Sequence, residues 1–378
     1  MNDGHHTRYQ SLDILKGFII ITIVFLHLIF NNHETYGKPA IYLQILYLGL
    51  ISFFIMSGYF YRPGRGIRRN LEIRTKQLFL TLAVCTVVLS AILFVWLTVL
   101  GYATSLDDYI NALVWGFGQS NVFEPYGAAK VFPVCGASVG YYFLWTMQIA
   151  FIIFYLLAER VMDSNWKVAV TIFVLILFTF VWSEFVGIRL PFHADLAPSA
   201  AAFMFTGAWL ARQDLVGTIE RFEIRTKQFW LPFVICLVCG IGLSLVFNPD
   251  TNYDNLVLGD YGGYSAFPYY FEAVLMCVVY FYIAGFVSKV PGLRTVLSNV
   301  GEHTLGILLL HGFVASMIIA PFWELTNGSW FPLTMTIVER IAVALFTLVI
   351  CYVICRHGPC VVSGMRHRQE LSKDGKSS

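Results

Sequence analysis

The sequence predicts an all-α polytopic integral membrane protein, and three observations carry that prediction. Its apolar residues gather into long uninterrupted runs, 57% of the chain being hydrophobic with a mean hydropathy of +0.68. Only 13% of residues are charged, against roughly 25% in soluble domains. The Lys and Arg residues, finally, concentrate in alternate connecting segments. This composition excludes a soluble globular enzyme, and no Arg-rich segment interleaved with aromatics points to nucleic acid. The net charge of +2 carries little, because the placement of basic residues, rather than their total, orients a membrane chain.

Apolar runs of roughly 17 to 25 residues match the thickness of the hydrocarbon core. About ten transmembrane helices are expected: 14–31, 40–61, 77–101, 139–159, 168–187, 196–211, 229–247, 267–288, 303–320 and 334–355. The first lacks a small-residue cleavage site and is followed by further spans, so it is expected to be retained. The sixth is short, which suits a tilted or partly re-entrant segment. No internal repeat is evident. Placing both termini in the cytoplasm leaves only Lys38, Lys130 and Arg189 on the far side and Arg340 within the tenth span. Every other basic residue is then cytoplasmic, as the positive-inside rule requires. Residues 1–360 read as one membrane body, and 361–378 as a polar basic cytoplasmic tail, expected to be disordered.

The outer connections are long. Segment 102–138 is rich in Gly and aromatics, and 248–266, which contains Tyr261, is rich in Gly and Tyr. Loops of that length are often functional. Two readings stand open, a carbohydrate-facing surface and an interfacial aromatic belt. Of eight cysteines, only Cys135 sits in an outer loop, so no disulfide framework is expected. Cys236 and Cys239 lie within a hydrophobic run and read as helix packing, and no metal site is proposed.

The chemistry concentrates on SLDILKGFIIITIVFLH, residues 11–27, where an apolar span carries an imidazole. Ionisable groups within hydrocarbon normally face a polar cavity, which makes His27 a functional candidate. Helical spacing puts Asp13, Lys16, Ile20, Ile23 and His27 on one stripe, with Lys16 and His27 about 16 Å apart along the axis. The second span contains FFIMSGYF, 53–60, whose Ser57 and Gly58 also suit close helix packing. His311 lies in the ninth span, and the two histidines could equally pack as neutral, hydrogen-bonded groups. Asp195, with His193, opens the sixth span, and Glu339 and Arg340 lie about one turn into the tenth, pointing about 100° apart. For all three charges a place at the headgroup level is the alternative. Six basic residues between 62 and 76 could bind phosphates or serve only as a topogenic signal.

Lys16 followed after ten residues by His27, the preceding LD, FFIMSG, GYYFLW at 140–145 and NVGEHTLGILLLHG at 299–312 together resemble the acyltransferase-3 family of membrane acyltransferases. The segment PFHADLAPSAAAFMFTGAWL, 191–210, further resembles its fucose 4-O-acetylase-like branch, which modifies bacterial surface and secreted polysaccharides. The resemblance implies a multi-pass protein of the bacterial inner membrane. It would move an acetyl group from cytoplasmic acetyl-CoA to a sugar hydroxyl of an exopolysaccharide or its lipid-linked repeat unit. His27 matches the family's essential histidine, read as general base or as transient acyl carrier. Lys16 stands where the family has Arg or Lys, Ser57 on its Ser-Gly motif, and Arg65 and Arg68, with Arg69 adjacent, on its RxxR feature. The usual proline after that basic run is missing, and RTKQLF stands at 74–79 instead.

Residues and resemblance together nominate His27, Asp195 and Ser57 for catalysis and Lys16, Arg65, Arg68 and Arg69 for coenzyme A. Asp13, His311, Trp145, Tyr261, Glu339 and Arg340 are nominated for substrate contact. The expected partners are acetyl-CoA, a polysaccharide or lipid-linked acceptor, membrane lipids and polysaccharide-assembly proteins. Two other classes fit the same composition. One is a transporter with His27, Asp195 and His311 as a relay, and the other a non-catalytic scaffold of a polysaccharide assembly complex.

Overall fold

The computed structural model describes residues 9–30, 49–64, 66–101, 105–118, 141–188, 190–247, 266–321 and 336–358. Helix α1, Gln10–Phe25, continues into a π turn, Leu26–Phe30; α2 is Ile51–Tyr59. Helix α3, Ile67–Thr75, passes through a second π turn, Lys76–Leu80, into α4, Thr81–Val99. Then come α5, Leu106–Gly118; α6, Tyr141–Val161; α7, Asn165–Val181, ending in a third π turn, Trp182–Val186; and a 3-10 turn, Pro191–His193. The chain continues with α8, Ala197–Arg212; α9, Leu215–Arg221; α10, Lys227–Phe247; and α11, Ala266–Val287. It closes with α12, Pro291–Glu302; α13, Thr304–Ile319; and α14, Ile337–His357. No strand occurs among the described residues.

Seven helices among the described residues are long and apolar enough to cross a membrane: Gln10–Leu28, Ile67–Val99, Phe143–Val161, Asn165–Val186, Lys227–Phe247, Ala266–Val287 and Ile337–His357. Helices α12 and α13, bent by 76°, make an eighth if counted as one span. The expected runs 196–211 and 303–320 appear as 16-residue helices, α8 and α13. At about 24 Å each they are shorter than the ~30 Å hydrocarbon core. Of run 40–61, helix is described only over Ile51–Tyr59. The run at 77–101 begins earlier than expected: α3 and α4 form one 33-residue rod, about 50 Å long, whose polar end must project beyond the bilayer. Segment 102–138, expected to be a loop, contains α5. That helix rests on α4 through Tyr109 and Phe94, ring centroids 5.6 Å apart.

Helices divide by what they face. Residues such as Val88 and Val95 on α4, Phe173 and Phe178 on α7, Val238 on α10 and Phe346 on α14 are exposed, forming an apolar belt suited to lipid. Helices α1 and α8 are buried along most of their length. Helix α1 packs mainly on α12 and also on α11, α13 and α14, whereas α8 packs on α2, α6 and α7. Both inner contacts depend on glycine. A Cβ on Gly17 would collide with the Leu297 carbonyl, and one on Gly301 with the Asp13 carbonyl. Across α2 and α8, Gly58 lies on the Met204 carbonyl and Gly207 on that of Ile55. Lipid gives helices no hydrophobic drive to associate, so close backbone approach of this kind supplies much of the attraction.

A polar latch fixes the start of α1. The Tyr9 hydroxyl donates to Asp214 Oδ1 (2.7 Å), and Arg221 donates to Oδ2 (2.9 Å). Glu220 Oε1 accepts from the Ser11 hydroxyl and from the Ser11 N–H, the latter at 3.2 Å, placing an anion at the positive end of the helix. The Tyr9 hydroxyl, with Arg221 beside it, holds the Asp214 carboxyl below the usual carboxylate range.

Three outcomes test this architecture. Gly301→Ala is expected to lower unfolding stability in detergent by about 1–3 kcal/mol or more. Gly242→Ala, where a Cβ meets nothing within 4 Å, is expected to be neutral or to gain up to ~1 kcal/mol. The stability advantage of wild type over Asp214→Asn should be full above the ordinary aspartate value, ~3.9. Because the folded value lies lower, that advantage should fade as pH falls through it, and paired thermal melts across pH measure this.

Candidate active site

Helix α1 keeps regular α geometry through Phe25 and then widens into the π turn that carries His27. The regular stripe therefore holds for Asp13, Lys16, Ile20 and Ile23, while His27 is re-aimed relative to it. One-turn π segments recur at functional sites for this reason. In this turn Leu26 and Leu28 are buried and His27 is half-buried. His27 Nδ1 lies 2.9 Å from His311 Nε2, and the two rings meet edge to edge and nearly coplanar, with centroids 5.1 Å apart and planes inclined by 19°. His311 comes from the middle of α13, is 1% exposed, and brings its Nδ1 to 2.7 Å from the Leu308 carbonyl. Nearby on α13, the carbonyl of Leu309 accepts a hydrogen bond from the buried Tyr141 hydroxyl of α6 at 2.8 Å.

The other end of α1 carries the charges. Buried Asp13 accepts from Lys16 Nζ at 3.2 Å, and the same ammonium lies 5.1 Å from the centroid of Phe60, just past α2. An ammonium over an aromatic face gains about 0.5–1 kcal/mol or more when partly desolvated. Arg68 and Arg69 are exposed on α3. Arg74 on the same helix turns inward and stacks on Phe151 of α6, 5.1 Å from its centroid.

A third grouping surrounds the turn before α8. Asp195, 1% exposed, accepts from the Leu190 N–H at 3.0 Å and so ties down a turn in which Phe192 and His193 take positive φ. Phe192 packs on Trp145, ring centroids 5.1 Å apart. Ser57 donates to the Phe53 carbonyl of its own helix at 2.7 Å, which occupies its one hydroxyl proton. Glu339 forms a capping box with Thr336, accepting from that residue's N–H at 2.7 Å, a structural use at the start of α14. Arg340, the next residue, is 5% exposed, on a helix that packs against α13 and the π turn of His27. Arg65 and Tyr261 lie outside the described residues.

The nominated residues thus fall into separate groups: His27 with His311, Asp13 with Lys16, and Trp145 beside the turn that Asp195 secures. Sequence reasoning passed over Glu272, which is fully buried on α11. Its signal was legible, an acid inside an apolar run, the same rule that singled out His27. Among the described residues no three His, Cys, Asp or Glu side chains come together as metal ligands.

No curated protein matches the chain. The family model described as an acyltransferase domain matches residues 9–356, from the N-cap of α1 to the last turn of α14. Both histidines, the Asp13–Lys16 pair and the turn of Asp195 all lie within that one domain, and the chain belongs to the acyltransferase-3 family of membrane acyltransferases.

Proposed function

We propose that the protein transfers an acetyl group from cytoplasmic acetyl-CoA to a sugar hydroxyl of an exopolysaccharide, a surface polysaccharide or its lipid-linked repeat unit. In this reading it works in the bacterial inner membrane with both termini cytoplasmic, as part of the fucose 4-O-acetylase-like branch. The observation that carries the reading is the half-buried imidazole of His27 on an inner helix of an acyltransferase domain, with Lys16 about 16 Å away toward the other end. A thioester donor carries its acyl group on a long narrow arm, so its phosphates and its reacting carbon can lie that far apart.

His27 takes the proton of the acceptor hydroxyl as its oxygen attacks the thioester carbonyl. A tetrahedral oxyanion forms, the carbon–sulfur bond breaks, and the thiolate leaves with the proton that His27 returns. The products are an acetyl ester and free coenzyme A. Lys16, Arg68 and Arg69 are the proposed phosphate contacts, where charge-assisted hydrogen bonds are strongest. The exposure of both arginines on a helix that outruns the bilayer supports this role. Arg65 belongs to the same proposal through its motif. Asp195 and Trp145, grouped at one turn, are proposed to shape the acceptor side, together with Tyr261.

The protein in lipid nanodiscs, given radiolabelled acetyl-CoA and a sugar acceptor, is expected to transfer label. Uptake of a solute without transfer would establish a transporter instead. His27→Gln is expected to reduce transfer by ~10²-fold or more while leaving acetyl-CoA binding intact. Retained turnover would remove His27 from the chemistry. The double variant Arg68→Glu with Arg69→Glu should weaken acetyl-CoA binding about tenfold or more, equivalent to ~1.4 kcal/mol, as read by calorimetry.

A further inference from the structure

The hydrogen-bond directions within the histidine pair follow from its partners. A carbonyl oxygen can only accept, so His311 Nδ1, 2.7 Å from the Leu308 carbonyl, must carry a proton. A neutral imidazole has one N–H, so His311 Nε2 is an acceptor. That acceptor lies 2.9 Å from His27 Nδ1, which must then be the donor. The lone pair of His27 is left on Nε2. Both rings are taken as uncharged, the state favoured where an unpaired charge would be in hydrocarbon.

We propose that His311 is a positioning residue, which, oriented by the Leu308 carbonyl, locks His27 in its Nδ1–H tautomer and leaves Nε2 as the nitrogen that receives a proton. Where it names the base, this rests on the reading of His27 given above; the tautomer itself does not. Free histidine in water favours the opposite, Nε2–H form, so the protein must supply the preference, and the hydrogen bond the other ring nitrogen makes is what sets it. The arrangement parallels hydrolases in which a carboxylate fixes the tautomer of a catalytic histidine. Here the orienting group is neutral. After Nε2 takes the hydroxyl proton, Nδ1–H still donates to His311, so no bond in the pair has to be remade and no proton leaves it. The proton returns from Nε2 to the departing thiolate.

The full chain, labelled with ¹⁵N-histidine and held in nanodiscs at neutral pH, gives the test, with His27 signals assigned by their loss in His27→Gln. Wild type is expected to show His27 with a protonated Nδ1 and an unprotonated Nε2. His311→Leu should shift His27 toward Nε2–H and lower kcat by ~10²-fold with KM for acetyl-CoA unchanged. His311→Gln, whose carboxamide oxygen can accept in place of Nε2, should recover much of both signals. A wild-type His27 protonated on Nε2, or a tautomer unmoved by His311→Leu, overturns the proposal. Should His311→Leu not fold, the wild-type spectrum and His311→Gln decide it. If His27→Gln keeps its turnover while the wild-type tautomer is as expected, the pairing stands and the assignment of the base falls.

Discussion

The backbone contact between α1 and α12 at Gly17 and Gly301 is the constraint on which the site's geometry depends. A single methyl group at either position would run into the opposite carbonyl, so the two helices can meet here only as glycine. From this point the chain of α12 turns through 76° into α13, which packs along α1. Ten residues beyond each glycine stands a histidine of the pair, His27 beyond Gly17 and His311 beyond Gly301. Register at the crossing therefore fixes register at the imidazoles. A widening of the crossing would be felt at a hydrogen bond of 2.9 Å, which tolerates little displacement.

The second glycine crossing separates two roles that the Ser-Gly motif superimposes. Gly58 is a contact surface, held against the Met204 carbonyl with Gly207 reciprocating on Ile55. Ser57, one position away and about 100° round the helix, bonds back to Phe53 and lies 4.0 Å from Met147 Sδ. For Ser57 to act as a donor toward a reacting oxygen, its hydroxyl must rotate off that carbonyl. The rotation breaks a bond to a carbonyl that already serves its own helix, so its cost is modest beside that of moving backbone.

Much of this was legible in the sequence, because hydrophobic length and the cost of buried charge act locally. The expected apolar runs correspond to helices wherever they fall on described residues, and His27, His311 and Asp195 stood out as ionisable groups among apolar neighbours. Their partners were not legible. His27 and His311 are separated by 284 residues, and no local rule pairs them. Helices α8 and α13 stand where runs 196–211 and 303–320 were expected, but at 16 residues each they fall short of the hydrocarbon thickness, which a helix walled in by protein need not match. The use of Glu339 could have been read from Thr336 three residues before it, the signature of a capping box. The helix hidden in segment 102–138 was obscured by its glycines and aromatics, which suggested a loop.

The two histidines are chemically equivalent but differently placed, and the difference assigns their parts. His311 is almost wholly enclosed, with one nitrogen on a backbone carbonyl and the other on His27, so both its ring atoms are committed. His27 is half-buried and has one nitrogen engaged, which leaves the other as the nitrogen to which the proposed mechanism gives the proton. The π turn contributes to this asymmetry by rotating His27 out of the regular stripe between buried Leu26 and Leu28. A carboxylate in place of His311 would hold an imidazolium more strongly, but it would have to remain ionised in hydrocarbon during the rest of the cycle. A neutral ring oriented by a main-chain carbonyl supplies the same direction without an unpaired buried charge. Between helices enclosed within a membrane protein, that saving favours the neutral partner in the proposed mechanism.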